Sequence, residues 1–290
     1  MAPRTLALLL LLALLWSTAF TLTKVAVATV PPITVVAVRV VLASLILWLY
    51  LRATGRALPG RDAPWGLFMV LALTGNVLPF FVIGWAQTTV DSGLAAILIG
   101  TMPLITLALA PLFARDEGID PQRIAGFVLG FIGIVVLFAP RMLSGFDGTL
   151  AAYFALIVGA ILFAVNMLLT RRVTGDITVA ATAVSIASVV VAVPLSLAFD
   201  RPWQVSPSTE SAISIVALGV FATAFATIVF FQLVRLAGAT ASSMVNYLIP
   251  GLGVLWGVLF LGERPGWPEM AALVLIVGAL VLVNWRRKPG

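Results

Sequence analysis

The chain has 290 residues, of which 62% are hydrophobic and only 10% are charged. Soluble domains carry about 25% charged residues, so this composition excludes an ordinary soluble fold and indicates a membrane protein. Cysteine and histidine are absent from the sequence, which disfavours metal sites and most acid–base chemistry, and we expect neither a cofactor nor an enzyme. The net charge of +6 would suggest a nucleic-acid partner in a soluble protein, but here membrane topology explains it.

The first apolar segment begins with Arg4 and a leucine run, which read alone would pass for a signal peptide. Further apolar segments follow, so a first membrane span is the better interpretation. A helix needs about 20 apolar residues to cross the bilayer, and spans of this length use most of the chain. The sequence predicts ten transmembrane helices in an all-α fold, at about 5–29, 33–51, 64–86, 92–114, 121–139, 149–170, 178–199, 210–234, 239–262 and 268–285.

The basic residues are distributed unevenly between the two sides that ten spans create. Twelve arginines and lysines lie on the side of the amino terminus, and three, Arg141, Arg201 and Arg264, lie on the other. Because short cytoplasmic loops carry the Lys/Arg excess, we predict that both termini are cytoplasmic.

The two halves of the sequence repeat at a constant offset of 147 residues. The matched pairs are Thr23 with Thr170, Lys24 with Arg171, Pro103 with Pro250, Phe113 with Phe260, Asp116 with Glu263 and Pro121 with Pro268. Since each unit has five spans, the second must enter the membrane from the opposite face. We therefore predict two inverted five-helix repeats, residues 1–145 and 146–290, which is a recurrent design of secondary transporters.

Several motifs carry a family resemblance that covers nearly the whole chain. They are Trp16-Ser17 with Phe20 and Lys24, Arg39 and the residues after it, Ser242-Ser243-Met244, and Leu261-Gly262-Glu263-Arg264. With these motifs the sequence resembles the drug/metabolite transporter superfamily in its ten-span EamA-type branch, and within it the YddG-type amino-acid exporters. The resemblance implies a multi-pass protein of the bacterial inner membrane that exports aromatic and other neutral amino acids.

Charged residues are rare inside the predicted spans. Only Lys24 and Arg39 lie there, and all eleven carboxylates fall at span ends or in connections. Proton-driven antiporters usually relay protons through membrane-embedded acids or histidines. We therefore expect export by alternating access without carboxylate-based proton coupling.

Recognition of an amino acid requires a cation or a helix amino terminus for its carboxylate, and oxygens or an aromatic face for its ammonium group. The candidate substrate-binding residues are Trp16, Arg39, Asn76, Asn246, Tyr247 and Trp256. The alternative role is interhelical hydrogen bonding for the polar candidates and packing for the tryptophans. For Lys24, which is not a candidate, snorkelling to the membrane surface is favoured.

Helix-breaking residues suggest gating positions, here Pro79, Pro103, Pro250 and Gly251. A proline frees the carbonyl about one turn earlier if the helix continues through it. Kinking for packing alone is the alternative. The spacings Gly126-x-x-x-Gly130 and Gly253-x-x-x-Gly257 indicate close helix packing, either within one bundle or at a dimer seam, and we expect a monomer or a weak homodimer.

Two other functions stay open at this point. The first is export of a drug or another metabolite, such as a purine, a sugar or a cationic compound. The second is a membrane-embedded enzyme or a non-transporting scaffold. An enzyme would need paired carboxylates, a nucleophile with its base, or a metal cluster, and the sequence offers none. The expected partners are therefore a small-molecule substrate and the lipid bilayer.

Overall fold

The computed structural model describes residues 2–113, 121–143, 148–242 and 244–284, and helices are the regular secondary structure of these residues. We number the helices in chain order as α1 Pro3–Ala26, α2 Pro32–Ala53, α3 Trp65–Gln87, α4 with its two parts Ser92–Ile99 and Met102–Phe113, α5 Pro121–Leu143, α6 Gly148–Thr170, α7 Ile177–Asp200, α8 Thr209–Gly238, α9 Val245–Leu261 and α10 Trp267–Asn284.

Seven of the described helices are long and apolar enough to cross a membrane, judged by length and composition. The shorter apolar stretches Ile124–Pro140, Val245–Leu261 and Trp267–Val283 lie in α5, α9 and α10. The fold is therefore an all-α membrane fold. That α5, α9 and α10 also cross the membrane, which would make ten spans, stays a prediction.

Local sequence explains where several helices begin and end. Asp176 caps α7, because its carboxylate accepts the N–H of Thr178 at 2.7 Å. Burial raises the pKa of Asp176, but the two backbone N–H donors and Arg56, whose Nε lies 3.1 Å away, give a net lowered pKa. Gly262 ends α9 in the left-handed region, with φ 66°, which a residue with a side chain rarely adopts.

Hydrogen bonds between helix ends show that the helices alternate in direction from α1 to α4 and from α7 to α9. We call the end where α1 finishes and α2 starts the far end, and the end that holds the amino terminus the near end. The ion pair between Arg56 and Asp176 joins α2 to α7 at the near end. Four side-chain bonds join far-end segments, namely Lys24 to Gln87, Thr29 to Ser211, Thr34 to Asp200 and Ser92 to Glu263.

The packing of the helices follows a matched pattern in the two halves. Helix α1 packs on α8 and α9, and its counterpart α6 packs on α3 and α4. Helix α2 packs on α8 while α7 packs on α3, and the pairs α2 with α7, α4 with α9 and α5 with α10 also touch. If each helix is replaced by its counterpart in the other half, α1 by α6 and α2 by α7 and so on, the same set of contacts results.

Glycines let the paired helices approach closely, within this one chain. A Cβ at Gly253 in α9 would overlap the Cβ of Ala96 in α4, and a Cβ at Gly126 in α5 would overlap Val283 in α10. The small-residue spacings therefore act in bundle packing, one of the two alternatives that the sequence left open.

We predict that Gly253→Ala destabilises the protein by about 1–3 kcal/mol, because Ala96 has no flexible side chain that can move away. The matched control is Gly278→Ala in α10, where the nearest atom to a new Cβ is 3.9 Å away, an ordinary contact. Thermal unfolding in detergent should show a lower midpoint for the first variant only. Equal midpoints for the two variants would contradict the close α4–α9 contact.

Candidate functional site

An aromatic surface lies where α1, α8 and α9 meet. The ring of Trp16 lies 5.6 Å from that of Phe230, and the neighbouring Ser17 accepts a hydrogen bond of 2.8 Å from the indole N–H of Trp256. Trp16 and Trp256 are half-buried. Two of the predicted substrate-binding residues are thus brought together around Ser17, with part of their rings accessible.

Arg39 is buried inside the helix bundle and joins three helices. Its Nε donates to the hydroxyl of Thr223 in α8 at 2.7 Å, and its guanidinium carbon lies 3.6 Å above the ring of Phe80 in α3. Only 6% of Arg39 is exposed. Both contacts use neutral groups, so the cation is held without a carboxylate partner among the described residues.

Asn76 makes the corresponding contact in the other half. Its amide donates to Ser188 of α7 at 2.9 Å, and Asn76 lies 147 residues before Thr223, the partner of Arg39. Both residues lie in π-helical turns, Leu73–Val77 in α3 and Leu218–Phe225 in α8. The repeat therefore places two π-helical turns at equivalent positions, each bonded to the facing helix of the opposite half.

The π-helical turn of α3 is supported by Asn166 in α6. The Asn166 amide donates to the carbonyl of Leu71 at 2.9 Å and to the hydroxyl of Thr74 at 3.1 Å. A Cβ at Gly75 would lie 2.5 Å from the Asn166 amide nitrogen, so only glycine admits this contact. The Asn166 side chain thus supplies hydrogen bonds to the backbone and side chain beside the irregular turn.

The candidate gating residues lie at or beside helix irregularities. Pro79 is buried just after the π-helical turn of α3, and Pro250 lies inside α9, which continues through it. Helix α4 does not run through Pro103, so this proline frees no carbonyl within a continuous helix, and its gating role stays a prediction. The first part of α4 ends at Ile99 and the second begins at Met102, so Pro103 occupies a helix start, where its missing N–H needs no partner.

The break in α4 is packed on the proline of α9. A Cβ at Gly100 would overlap the ring of Pro250, so the two equivalent irregular segments touch. A Cβ added to Gly251 would meet no atom of a neighbouring segment within 4 Å, so open space adjoins this turn. Asn246 and Tyr247 are half-buried in the first turn of α9, one turn before Pro250.

At the far end, Lys24 and Gln87 fasten α1 to the end of α3. The Lys24 ammonium group donates to the carbonyls of Gln87 and Val90, each at 2.8 Å. In return the Gln87 amide donates to the carbonyl of Phe20 at 3.0 Å. The sequence favoured snorkelling for Lys24; the structure shows instead that it pairs the unbonded carbonyls where α3 ends.

Glu263 fastens the other side of the same turn. Its two carboxylate oxygens accept the backbone N–H groups of Ser92 at 2.6 Å and Gly93 at 2.9 Å, at the amino terminus of α4. A carboxylate there also interacts favourably with the helix dipole. Gly257 leaves room for Glu263, because a Cβ on it would overlap the carboxylate.

Three buried side-chain atoms among the described residues have no hydrogen-bond partner, and all lie around this turn: Thr21 Oγ1, Gln87 Oε1 and Ser92 Oγ. Leaving a buried polar group unpaired costs about 1–3 kcal/mol. The contacts of Lys24 and Glu263 with the α3–α4 turn, which we call the far-end closure, therefore combine strong charged hydrogen bonds with unfavourable unpaired oxygens.

A cavity of about 240 Å³ adjoins the far-end turn, and its lining includes Asp91, Tyr153, Glu263, Arg264 and Glu269. Asp91 makes no capping hydrogen bond to α4. Partial burial raises the pKa of Asp91 most, and repulsion from Glu263 raises it further. The positive charge of Lys24 lowers the pKa less strongly, and Glu269 raises it least. No group of three or more His, Cys, Asp or Glu side chains in the described part of the chain is placed to hold a metal ion.

Sequence reasoning missed the far-end residues as functional candidates. Glu263 entered only as a member of a repeat pair and of a family motif, and Gln87 was not among the candidate residues. The signal available was the offset of 147 residues, which pairs Lys24 with Arg171 and Glu263 with Asp116, so that both halves carry a cation and an acid at matched sequence positions.

Comparison with known proteins gives one family. A model of the EamA-like transporter family matches residues 4–139 and again residues 150–285. The chain is 27% identical to the uncharacterized inner membrane transporter YedA of Escherichia coli (strain K12), over 93% of this chain and 87% of YedA. It is 26% identical to the uncharacterized transporter YvbV of Bacillus subtilis (strain 168), over 98% and 93% of the two chains. A solved crystal structure with 22% identity and a TM-score of 0.70 covers 98% of this chain and 99% of its own and shares the fold.

We predict that Thr223→Val destabilises the protein by about 1–3 kcal/mol, since the buried Arg39 loses the acceptor of its Nε–H without any change in side-chain shape. Thr223→Ser keeps the hydroxyl and is the control. Thermal unfolding in detergent should lower the midpoint of the valine variant well below that of the serine variant. Matching midpoints would show that the hydrogen bond contributes nothing.

We predict that Asp91→Asn raises the unfolding midpoint at pH 7. Folding raises the pKa of Asp91, so its charged form destabilises the folded protein and its neutral form does not. As the pH falls through the raised pKa, wild-type Asp91 becomes neutral, and the advantage of the variant should shrink. Unfolding midpoints of both proteins at pH 7 and pH 5 measure this, and an unchanged or lower midpoint for the variant at pH 7 would contradict it.

Proposed function

Because the chain belongs to the EamA-like transporter family and is a multi-pass membrane transporter, we propose that it exports neutral or zwitterionic solutes, chiefly amino acids, by alternating access. The proposed location is the bacterial inner membrane, where the name of YedA places that relative. The observation that carries the proposal is the pair of equivalent π-helical turns in α3 and α8, each bonded across to the opposite half.

Two inverted five-helix units, residues 1–145 and 146–290, are the architecture that we propose for this mechanism. The double match to the family model and the matched packing of the two halves support it. Inverted repeats exchange their conformations, so the interior opens first to one side and then to the other. The π-helical turns are suitable bending points, because their backbone hydrogen bonds are already irregular.

The orientation follows from the basic residues. With ten spans, twelve arginines and lysines fall on the near end and three on the far end, which favours a cytoplasmic near end and cytoplasmic termini. The far-end closure by Lys24 and Glu263 then faces the outside. Export of a solute requires this closure to open.

The substrate class rests on the charges of the interior. Arg39 and Lys24 are both held by neutral oxygen atoms, and Arg39 also contacts the face of Phe80. A small zwitterion fits this environment, since its carboxylate is attracted to cations and its ammonium to carbonyls and aromatic faces. The accessible surface of Trp16, Asn246, Tyr247 and Trp256 supports contact with the substrate, while Arg39 and Asn76 position the helices around it.

Energy coupling is proposed to be absent. The described carboxylates lie at helix ends or in connections, and Glu263 accepts two backbone N–H groups. No acid is thereby left at mid-membrane in the described part of the chain to carry a proton. Export then follows the substrate's own gradient.

A second candidate function is export of a cationic aromatic compound. The aromatic surface of Trp16, Phe230 and Trp256 favours it, since aromatic faces attract organic cations. The buried positive charge of Arg39 opposes it, because a cationic solute would be repelled.

The test is counterflow in proteoliposomes with labelled neutral amino acids, nucleobases, sugars and cationic dyes, with and without a pH gradient. We expect exchange of neutral amino acids, and no uphill accumulation when a pH gradient is imposed. Exchange of dyes without amino acids would favour the second function. Uphill accumulation driven by the pH gradient would contradict uncoupled export.

Paired tryptophan variants control this measurement. Trp16→Ala removes a ring from the proposed contact surface and should reduce the exchange of substrate. Trp203→Ala removes a ring that is 66% exposed in the α7–α8 connection and should leave exchange unchanged. Equal activity of both variants would place the substrate elsewhere.

A further inference from the structure

We propose that the turn between α3 and α4 is the outer gate of the transporter and that Glu263 is its latch, with Lys24 as a second latch on the opposite side. The gate rests on the proposed function, because only a transporter needs it to open. The two latches and the turn itself, residues 87–93, lie at the far end, and their hydrogen bonds are separate from those of Arg39 and Asn76.

Two different helices hold this one short segment. Lys24 of α1 donates to two carbonyls at the beginning of the turn, Gln87 and Val90. Glu263, which follows α9, accepts two N–H groups at its end, Ser92 and Gly93. The four bonds are between 2.6 and 2.9 Å, and each involves a charged side chain. Charged hydrogen bonds are the strong ones, so the segment is fixed while both latches hold.

The closed turn also keeps unpaired oxygens away from water. Thr21, Gln87 and Ser92 each bury a side-chain oxygen without a hydrogen-bond partner, and they belong to α1, α3 and α4, the helices that meet at the turn. Hydration of the same oxygens when the turn moves away offsets the loss of the latch bonds, which is the balance that a gate requires.

Glu263 has space into which it can move. The neighbouring cavity of about 240 Å³ is lined by Glu263 itself and by Asp91 and Arg264. Gly262 gives the chain a tight turn before Glu263, with φ 66°. The carboxylate can therefore leave the end of α4 and be received by water and by the Arg264 side of the cavity without unfolding α9.

Asp200 supplies a matched control at the same end of the bundle. Its carboxylate accepts the backbone N–H of Thr34 at 2.8 Å and so caps α2, as Glu263 caps α4. It joins α2 to α7 and does not bond to the α3–α4 turn. Loss of Asp200 should lower stability as loss of Glu263 does, and leave the gate closed.

The experiment uses the absence of cysteine from the natural sequence. A single reporter, Thr21→Cys, is placed below the latches, where the threonine is 7% exposed. Intact cells or right-side-out vesicles are treated from outside with a small, membrane-impermeant methanethiosulfonate reagent, and the labelling rate is measured. The rate needs no substrate, so it tests the gate even where the flux panel rejects amino acids.

We expect slow labelling in the reporter protein alone and a rate about tenfold higher when Glu263→Gln or Lys24→Met is added. Each change removes charged hydrogen bonds that exist only in the closed state, so the population of the open state rises. Glu263→Asp and Lys24→Arg, which keep the charge, should restore much of the protection. The Asp200→Asn control should label as slowly as the reporter alone. Each protein's unfolding midpoint in detergent is measured alongside.

Two results would overturn the gate. One is equally fast labelling in the Asp200→Asn control, which would mean that general destabilisation, and not the latch, exposes Thr21. The other is unchanged slow labelling in Lys24→Met and Glu263→Gln proteins that remain folded. Should Glu263→Gln fail to fold, the Lys24 variants decide the question, because they act on the other side of the turn.

Discussion

Inside a bilayer, a backbone carbonyl or N–H group has no water to bind, and every interruption of a helix must be paired by the protein itself. Much of the polar chemistry of this chain follows from that constraint. Asn166 pairs the carbonyl of Leu71 beside the π-helical turn of α3, and Thr101 pairs that of Leu98 at the break in α4. Polar side chains in the spans thus mark the places where the helices are irregular.

The same constraint connects the structure to transport. A regular helix bundle is rigid because all its hydrogen bonds are made locally, whereas a segment paired by side chains from another helix can exchange partners. In this protein such segments occur at matched places: the π-helical turns of α3 and α8, and the contact of Gly100 with Pro250. The offset of 147 residues also pairs Glu263 with Asp116 and Lys24 with Arg171 in the sequence. Asp116 lies outside the described residues.

Much of the fold was predictable because it depends on patterns that extend over many residues. Apolar length located the helices, and the offset of 147 residues related Pro103 to Pro250 before any contact was known. The interruption of α4 was not predictable in detail. A proline shows that a helix is weakened, but whether the helix bends through it, as at Pro250, or ends before it, as at Pro103, depends on what packs against the break.

The candidate site was only partly predictable, because residue type does not show which group a side chain reaches. Depth in the membrane suggested Arg39, but its pairing with Thr223 depends on a π-helical turn that no sequence pattern announces. Lys24 was judged by its distance from the span end, while its position is determined by the carbonyls at the end of α3. Trp16 and Trp256 were identified from depth and aromatic character, and Ser17 brings them together.

The alternating access that we propose requires the far end to change between a closed and an open state. The most direct measurement is the distance between spin labels on two cysteines in protein reconstituted in lipid. One replaces Thr88 in the α3–α4 turn and the other replaces Trp267 at the start of α10, and both positions are exposed. We expect two distances, with the longer one gaining population when substrate is added. A single distance that does not change, in a sample that exchanges substrate, would contradict alternation at the far end.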